Sequence, residues 1–532
     1  MRSKKVKTLE RKEAAKNGIT RMLFVAGSVL FQILFTVFVF SKLGDYAEWI
    51  RRAFILGAAV IVLGLYSQNR TSSMKMPWII LILLFPIAGV VLYLLVGLDG
   101  SRNFMWKYYR RIDEMIMPKL GDGREAAQKL RTQSVSSANL ASYVQKTSGF
   151  PVYQHTRVTY HRSASQGLAA LLRQLKKAKT FIFMEYYAIE DAQAWKLIEE
   201  ILVQKAKDGL DVRLFYDDIG SIHFINTDFV DKLQEMGIKC KVFNPCIPGL
   251  NLFLNNRDHR KITVIDDQVA FTGGYNLADE YFNITKPYGS WKDAGVMLRG
   301  EAAHSLTVMF LEMWYADRKH MIEELPLKDV EMCHLTAGTN ENLLEENAEE
   351  GSFIQPFAAK PMDKERVGEG VYINILNQAR TYCYFMTPYL IITDEMNSAM
   401  QLAAKRGVDV RIITPGIPDK KLVFEVTRSF YHGLAEANVR IFEWSPGFCH
   451  SKICLSDDKV AVCGTINLDY RSLYHHFEDA CVLYGGSVLL AMKKDFQKSF
   501  LEAQEVTDDY RGRLSKPLRF EQLVLRLFAE LL

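Results

Sequence analysis

One pattern limits what this chain can fold into: it occurs twice. His259, Lys261 and Asp266 are followed by Gly273 and Asn276, and His450, Lys452 and Asp457 by Gly464 and Asn467. Both copies read H-x-K-x4-D-x6-G-x2-N. Two chance occurrences in one chain have a probability on the order of 10⁻⁸, taking about one in twenty per fixed residue. The surrounding sequence repeats as well. Residues 167–179 and 370–380 are helix-like and lead into strand-like runs at 180–187 and 381–386. A second helix follows in each copy. It ends at Gly209 or Gly407, and Asp211-Val212-Arg213 or Asp409-Val410-Arg411 opens a new strand. Residues 233–243 and 434–442 again read as helix into strand. Such alternation predicts an α/β sandwich, and two copies predict a duplicated domain with a pseudo-two-fold axis.

The spacing carries chemistry. In a strand, residues i and i+2 share a face, so His and Lys of each motif project together. Asp266 and Asp457 fall where the strand turns, which suits holding local geometry. Gly273 and Gly464 permit close backbone approach, and Asn276 and Asn467 supply amide donors. If the copies pack face to face, two His, two Lys and two Asn converge on a positive, donor-rich site suited to phosphate.

Composition explains the rest of the 532 residues. That length suggests about three or four units. Hydrophobic residues make up 49% and are concentrated in the first hundred. Residues 22–40 and 78–97 carry no charge and have the roughly 20-residue length of a membrane span. Residues 54–66 are shorter and read as a full span, a re-entrant segment or an interfacial one. The first segment is too long for a signal peptide and lacks a small-x-small cleavage site. Residues 1–21 hold eight Lys or Arg. They read either as a cytoplasmic tail drawn to an anionic bilayer or as a solubilising tail. Three spans would put the catalytic half outside and two would keep it inside. The eight cysteines form no C-x2-C pair, which suits free thiols in a reducing compartment, favours the inside, and gives no recurrent zinc-ligand spacing.

On these motifs the chain resembles the phospholipase D superfamily over about residues 150–500. Within it, the chain is similar to bacterial cardiolipin synthases. That narrower resemblance rests on Asn69-Arg70, the run from Lys75 to Gly89, Gly273-Gly274-Tyr275-Asn276, and Ser445-Pro446-Gly447-Phe448. It implies two phospholipase D-like α/β/α sandwiches preceded by transmembrane helices. It also implies phosphatidyl transfer between two phosphatidylglycerols, giving cardiolipin and glycerol without metal, cofactor or nucleic acid. His259 is expected as nucleophile and His450 as acid/base, or the reverse. Glu478 matches the acid that orients a histidine. Asp293 is its expected counterpart, or else a surface carboxylate. Glu185 and Thr387-Pro388-Tyr389 are placed at matching strand ends, lining the pocket. His304 and His432 read as structural. Two departures stand out: Asp258 where Asn usually precedes the first His, and His476 where Asn usually precedes Phe477-Glu478.

The expected organisation is a basic tail (1–21), membrane segments (22–97), a helical connection (98–149), a first phospholipase D-like domain (150–324), an acidic linker (325–350), a second domain (351–504) and an amphipathic carboxy-terminal helix (505–532). That helix is expected on the bilayer surface or on the enzyme body. The rival functions are a hydrolase, a transferase with another phospholipid donor, a nuclease and a non-catalytic membrane scaffold.

Overall fold

The computed structural model of the protein describes residues 48–68, 71–94, 100–246, 256–316 and 351–512, with scattered positions before and after. The basic tail up to residue 18 and the acidic linker at 325–350 lie outside the described residues, and the segment at 22–40 is described only in part, as helix.

The duplicated sequence folds into a mixed α/β protein with two sheet-containing phospholipase D-like domains. The first has β1 (Thr156–His161), β2 (Phe181–Tyr186), β3 (Asp211–Asp217), β4 (Lys239–Phe243), β5 (Lys261–Ile265), β6 (Val269–Gly273), β7 (Ser290–Lys292) and β8 (Gly295–Gly300). The second has β9 (Phe353–Ala359), β10 (Tyr382–Met386), β11 (Asp409–Pro415), β12 (Arg440–Trp444), β13 (Gly447–Cys449), β14 (Ile453–Ser456), β15 (Val460–Gly464), β16 (Glu478–Tyr484) and β17 (Ala503–Glu505). One sheet runs β4-β3-β2-β5-β6-β8-β1 and the other β12-β11-β10-β14-β15-β16-β9, with β17 added beyond β12. The two orders superpose strand for strand. In each, three parallel strands meet the antiparallel motif hairpin.

Local chemistry explains the elements. The helices Gln193–Lys207 and Asp394–Lys405 stop before Gly209 and Gly407, whose φ of 89° and 92° favour residues without a side chain. The motif strands β5 and β14 are buried at every position, including the polar Lys261, Thr263 and Ser456, as central strands of their sheets. The helix Ala303–Tyr315 is buried from Ala303 to Trp314. Its apolar residues fill one core that runs from Phe183 and Phe310 to Phe353 and Phe385 of the second copy, while its His304, Thr307 and Glu312 are buried with polar partners.

The amino-terminal helices correct one expectation. The described part of 78–97, up to residue 94, is not one continuous helix. The helix Ser72–Leu84 ends, Phe85 takes φ −132° and ψ 74°, and Pro86 opens a new helix, Pro86–Leu92. Proline drives the preceding residue out of helical geometry and lacks the amide that would continue the ladder. The chain then folds back. The Trp78 and Tyr93 rings are 5.5 Å apart, where a straight helix would separate them by about 22 Å. A Cβ on Gly89 would lie 2.6 Å from the Cα of Ile82. The 54–66 segment belongs to the helix Glu48–Ser67, which carries Glu48, Arg51 and Arg52 near its start. Among the described residues, no helix is long and apolar enough to cross a membrane.

The carboxy-terminal helix falls largely outside the described residues. Where it is described it touches the enzyme body. Gln522 donates to Glu425 Oε2 at 2.8 Å, the Arg526 guanidinium lies 4.1 Å from the Phe430 ring centroid, and Ala529 is buried.

Candidate active site

The segment ahead of each motif histidine is fixed by the other copy. Gly447, Phe448 and Cys449 of β13 pair in parallel with Ser290, Trp291 and Lys292 of β7. The His450 amide then donates to the Lys292 carbonyl at 2.7 Å. Gly447 makes the approach possible, since a Cβ there would lie 2.1 Å from the Ser290 carbonyl oxygen. The mirror arrangement joins Asp258 to Phe477 by a parallel bridge, and the His259 amide donates to the Phe477 carbonyl at 2.9 Å. Arg257 anchors this second segment. It is buried, and its Nε and Nη2 donate to Asp217 at 2.9 and 2.7 Å.

The pairing places each histidine against a carboxylate from the opposite domain. His259 Nδ1 is 2.9 and 3.0 Å from the two Glu478 oxygens. His450 Nδ1 is 2.7 Å from Asp293 Oδ2. Asp293 is therefore a buried partner of His450 and not a surface carboxylate. The supports differ. Thr465 Oγ1 donates to Glu478 Oε2. Gly274 occupies the corresponding position beside Asp293, where a Cβ would lie 2.0 Å from Oδ1.

Both histidines, Lys261, Lys452, Asn276 and Asn467 are buried. Each lysine Nζ donates to the carbonyl of its own motif histidine. Asn276 is oriented by the Ala188 amide at 3.1 Å and by the Tyr281 hydroxyl at 2.8 Å. Asn467 Oδ1 has no hydrogen-bond partner among the described residues.

Asp266 and Asp457 are not brought to these histidines. Each lies at the far end of its motif strand, about 23 Å along the extended chain from the histidine. Both have left-handed backbone, with φ of 53° and 54°. Asp266 accepts from the amides of Lys179, Thr180 and Phe181 at 2.7 to 3.0 Å. Asp457 accepts from those of Arg380, Thr381 and Tyr382 at 2.7 to 2.9 Å. They tie the motif hairpin to the start of β2 and β10. Asp266→Ala and Asp457→Ala should each cost about 1–3 kcal/mol of stability. The check is a lower unfolding midpoint with activity per folded molecule retained.

Several other expectations find their place. Arg260 points away from His259 and Lys261, as strand alternation requires. It lies between Glu185 and Glu312 at 3.8 and 3.6 Å. Glu185 thus sits fully buried in a charge cluster beneath the site. Thr387 Oγ1 donates to the Tyr389 carbonyl. His304 pairs with Asp267 at 2.9 Å and His432 with the Tyr510 carbonyl at 2.9 Å, both structural contacts. The described cysteines are all buried, and none of them is in a disulfide. Sequence reasoning did not single out the aromatic walls. Tyr187 lies 5.0 Å from His259, and Tyr281 and Trp291 lie 5.3 and 5.2 Å from His450, centroid to centroid. Trp291 belongs to the W-K-D run that contains Asp293, so a signal was present.

Burial and converging cations set the electrostatics. Burial first, then Lys261 and Lys452, hold His259 well below its ordinary value. Burial first, then Lys452 and Lys261, do the same to His450. Lys452 is lowered to about 7, chiefly by burial. Asp293 is raised to about 6, again by burial. These side chains by themselves thus resist further positive charge, and a bound oxyanion reverses that preference. Binding should raise the Lys452 value and take up a proton above pH 7, so affinity falls as pH rises. Tungstate affinity, measured by titration calorimetry, is expected to drop by about tenfold per pH unit just above that point.

Comparison with known proteins follows the same division. A family model described as cardiolipin synthase, PLD-like domain, matches residues 171–314 and 372–500. One described as phospholipase D-nuclease N-terminal matches residues 53–97. An uncharacterized protein of Streptococcus mutans is 41% identical over 88% of this chain and 98% of its own length. Cardiolipin synthase 2 of Bacillus cereus is 31% identical over 90% of each chain. The crystal structure of phosphatidylserine synthase from Haemophilus influenzae superposes with a TM-score of 0.56 at 14% identity, covering 75% of this chain and all of that one. That likeness shows a shared fold.

Proposed function

The chain belongs to the family of phospholipase D-like cardiolipin synthases, and on that premise we propose that it is a phosphatidyltransferase that makes cardiolipin and glycerol from two phosphatidylglycerols. The observation that carries the mechanism is the reciprocal pairing of His259 with Glu478 and of His450 with Asp293 across the two domains. Each carboxylate holds a proton on Nδ1 and leaves the Nε2 lone pair for chemistry.

The steps follow from that geometry. The phosphodiester anion enters between Lys261 and Lys452 and offsets their charge, so His450 takes up a proton. His259 Nε2 attacks phosphorus, and the bond from phosphorus to the glycerol headgroup oxygen breaks. His450 Nε2–H protonates the departing oxygen, leaving a phosphatidyl-histidine. A headgroup hydroxyl of a second phosphatidylglycerol then gives its proton to His450 and attacks phosphorus. The P–N bond breaks and cardiolipin leaves. One diester bond is exchanged for another, so no energy source is required. Lys261, Lys452, Asn276 and Asn467 supply donors to the pentacoordinate oxygens. We assign Asp266 and Asp457 to support of this site through the strand contacts described above.

Membrane attachment is part of the same reading. Leu56, Leu63, Leu83, Leu84 and Phe85 of the amino-terminal helices are 59–69% exposed. Such a set of exposed apolar side chains suits the acyl region of an anionic bilayer. That none of the described cysteines is in a disulfide supports a catalytic half on the cytoplasmic face.

Purified protein given phosphatidylglycerol in mixed micelles is expected to release glycerol and cardiolipin in equal amounts. Phosphatidic acid without cardiolipin would identify a hydrolase. Ethanolamine release from added phosphatidylethanolamine would identify a different donor.

A further inference from the structure

Beside His259 lies a second imidazole with no part in this scheme. His476 is 9% exposed, and its ring centroid is 5.5 Å from that of His259. Its Nδ1 is 3.7 Å from Glu478 Oε1, beyond hydrogen-bond reach. Neither ring nitrogen has a hydrogen-bond partner among the described residues. A buried imidazole without partners is costly, and the cost points to a ligand.

We propose that His259, His476 and Glu478 form a site for a divalent d-block cation of the zinc type, and that its occupation switches the enzyme off. One ligand atom from each residue lies within 4.8 Å of the others. The His259 Nδ1 to Glu478 Oε1 edge is 2.9 Å and the His476 Nδ1 to Glu478 Oε1 edge is 3.7 Å. Tetrahedral zinc with bonds of about 2.0–2.1 Å spaces its ligands about 3.3–3.4 Å apart. These two edges need to change by only about half an ångström to meet that spacing, and the edge between the two imidazoles lies within 4.8 Å. Two imidazoles and a carboxylate, with a fourth position open, suit zinc or its neighbours. Magnesium and calcium prefer all-oxygen shells.

The site is one-sided. The residue two places before Glu478 is His476, whereas the residue two places before Asp293 is Trp291. The Asp258–Phe477 bridge holds the His259 segment against the His476-Phe477-Glu478 segment. No local ligand spacing announces it, because the fold assembles it from both copies.

Its effect on catalysis rests on the reading of His259 as nucleophile. Coordination takes the Nδ1 lone pair of His259. The proton that Nδ1 shared with Glu478 moves to Nε2. Nε2 then carries hydrogen where the reaction needs a lone pair, and the P–N bond cannot form. The cation is the only co-reactant, and nothing is oxidised or reduced.

The test uses full-length protein in detergent, stripped by chelation and titrated with Co²⁺. A visible d–d band saturating at one cobalt per chain, displaced by Zn²⁺, is the expected result. His476→Asn should weaken binding by at least the roughly 10- to 100-fold that even outer-sphere changes cost. Zn²⁺ should inhibit the wild type, chelator should restore activity, and H476N should resist at the same concentration. His476→Gln, checked by near-ultraviolet circular dichroism, guards against a misfolded variant, and the wild-type cobalt titration stands without either variant. No cobalt band, or equal affinity in wild type and H476N, overturns the site. Cobalt bound through His476 without zinc inhibition overturns the off-switch, whereas the role given to His259 is tested separately by the nitrophenolate burst from an activated phosphodiester.

Discussion

Replacing His259 with alanine should lower turnover at least about 10⁴-fold, and His450→Ala should do the same with the natural lipid. The two losses have different causes, and a substrate with an activated leaving group separates them. A nitrophenyl phosphodiester expels a phenolate that needs no proton. His450→Ala should therefore still release about one equivalent of nitrophenolate and stall at the phosphoenzyme. His259→Ala should give no burst, because the P–N bond is never made. The opposite pattern would exchange the two roles. Full turnover by both variants would mean a non-catalytic scaffold. The geometry makes the contrast interpretable, since each Nδ1 is already held by a carboxylate. Removing one imidazole leaves the other oriented.

The second large effect belongs to the carboxylates. Asp293→Asn and Glu478→Gln should each lower kcat by about 10² to 10⁴ with little change in KM. A neutral amide no longer fixes the proton on Nδ1, nor does it stabilise the imidazolium that forms on His450. Both positions are buried, so water does not replace the lost charge. With the nitrophenyl substrate, the burst of Asp293→Asn should recover, because its partner His450 is not needed for departure. The burst of Glu478→Gln should remain slow, because its partner is the attacking group. A Glu478→Gln burst as fast as wild type would break the link between Glu478 and His259. The experiment therefore tests which domain serves which histidine, a question the chain order does not answer.

How much was legible beforehand depends on the range of the interaction. Gly209 and Gly407 end their helices through their own backbone preference, and the motif strands are announced by their own β-branched and apolar residues Ile262, Val264, Ile265, Ile453 and Leu455. Such features need only a few neighbouring residues, so they can be read directly. The break within the run at 78–97 is hidden from hydropathy, which measures composition and not chain direction. Pro86 breaks the helix, and Gly89 lets the chain return against Ile82. Asp293 was ambiguous for the opposite reason. A carboxylate on a short strand is ordinary until the parallel pairing of β7 with β13 puts a histidine beside it.

The sequence by itself determined the duplicated α/β plan, the two motif histidines with their lysines, and the phosphodiester chemistry they support. Each follows from residue type and spacing, which are local and covalently fixed. Only the tertiary structure decided that Glu478 serves His259 and Asp293 serves His450, that Asp266 and Asp457 anchor strands, and that His476 comes to rest beside His259. These outcomes depend on how the two domains pack across a shared core. Contacts between residues some two hundred positions apart are set by that packing, and spacing along the chain does not encode them.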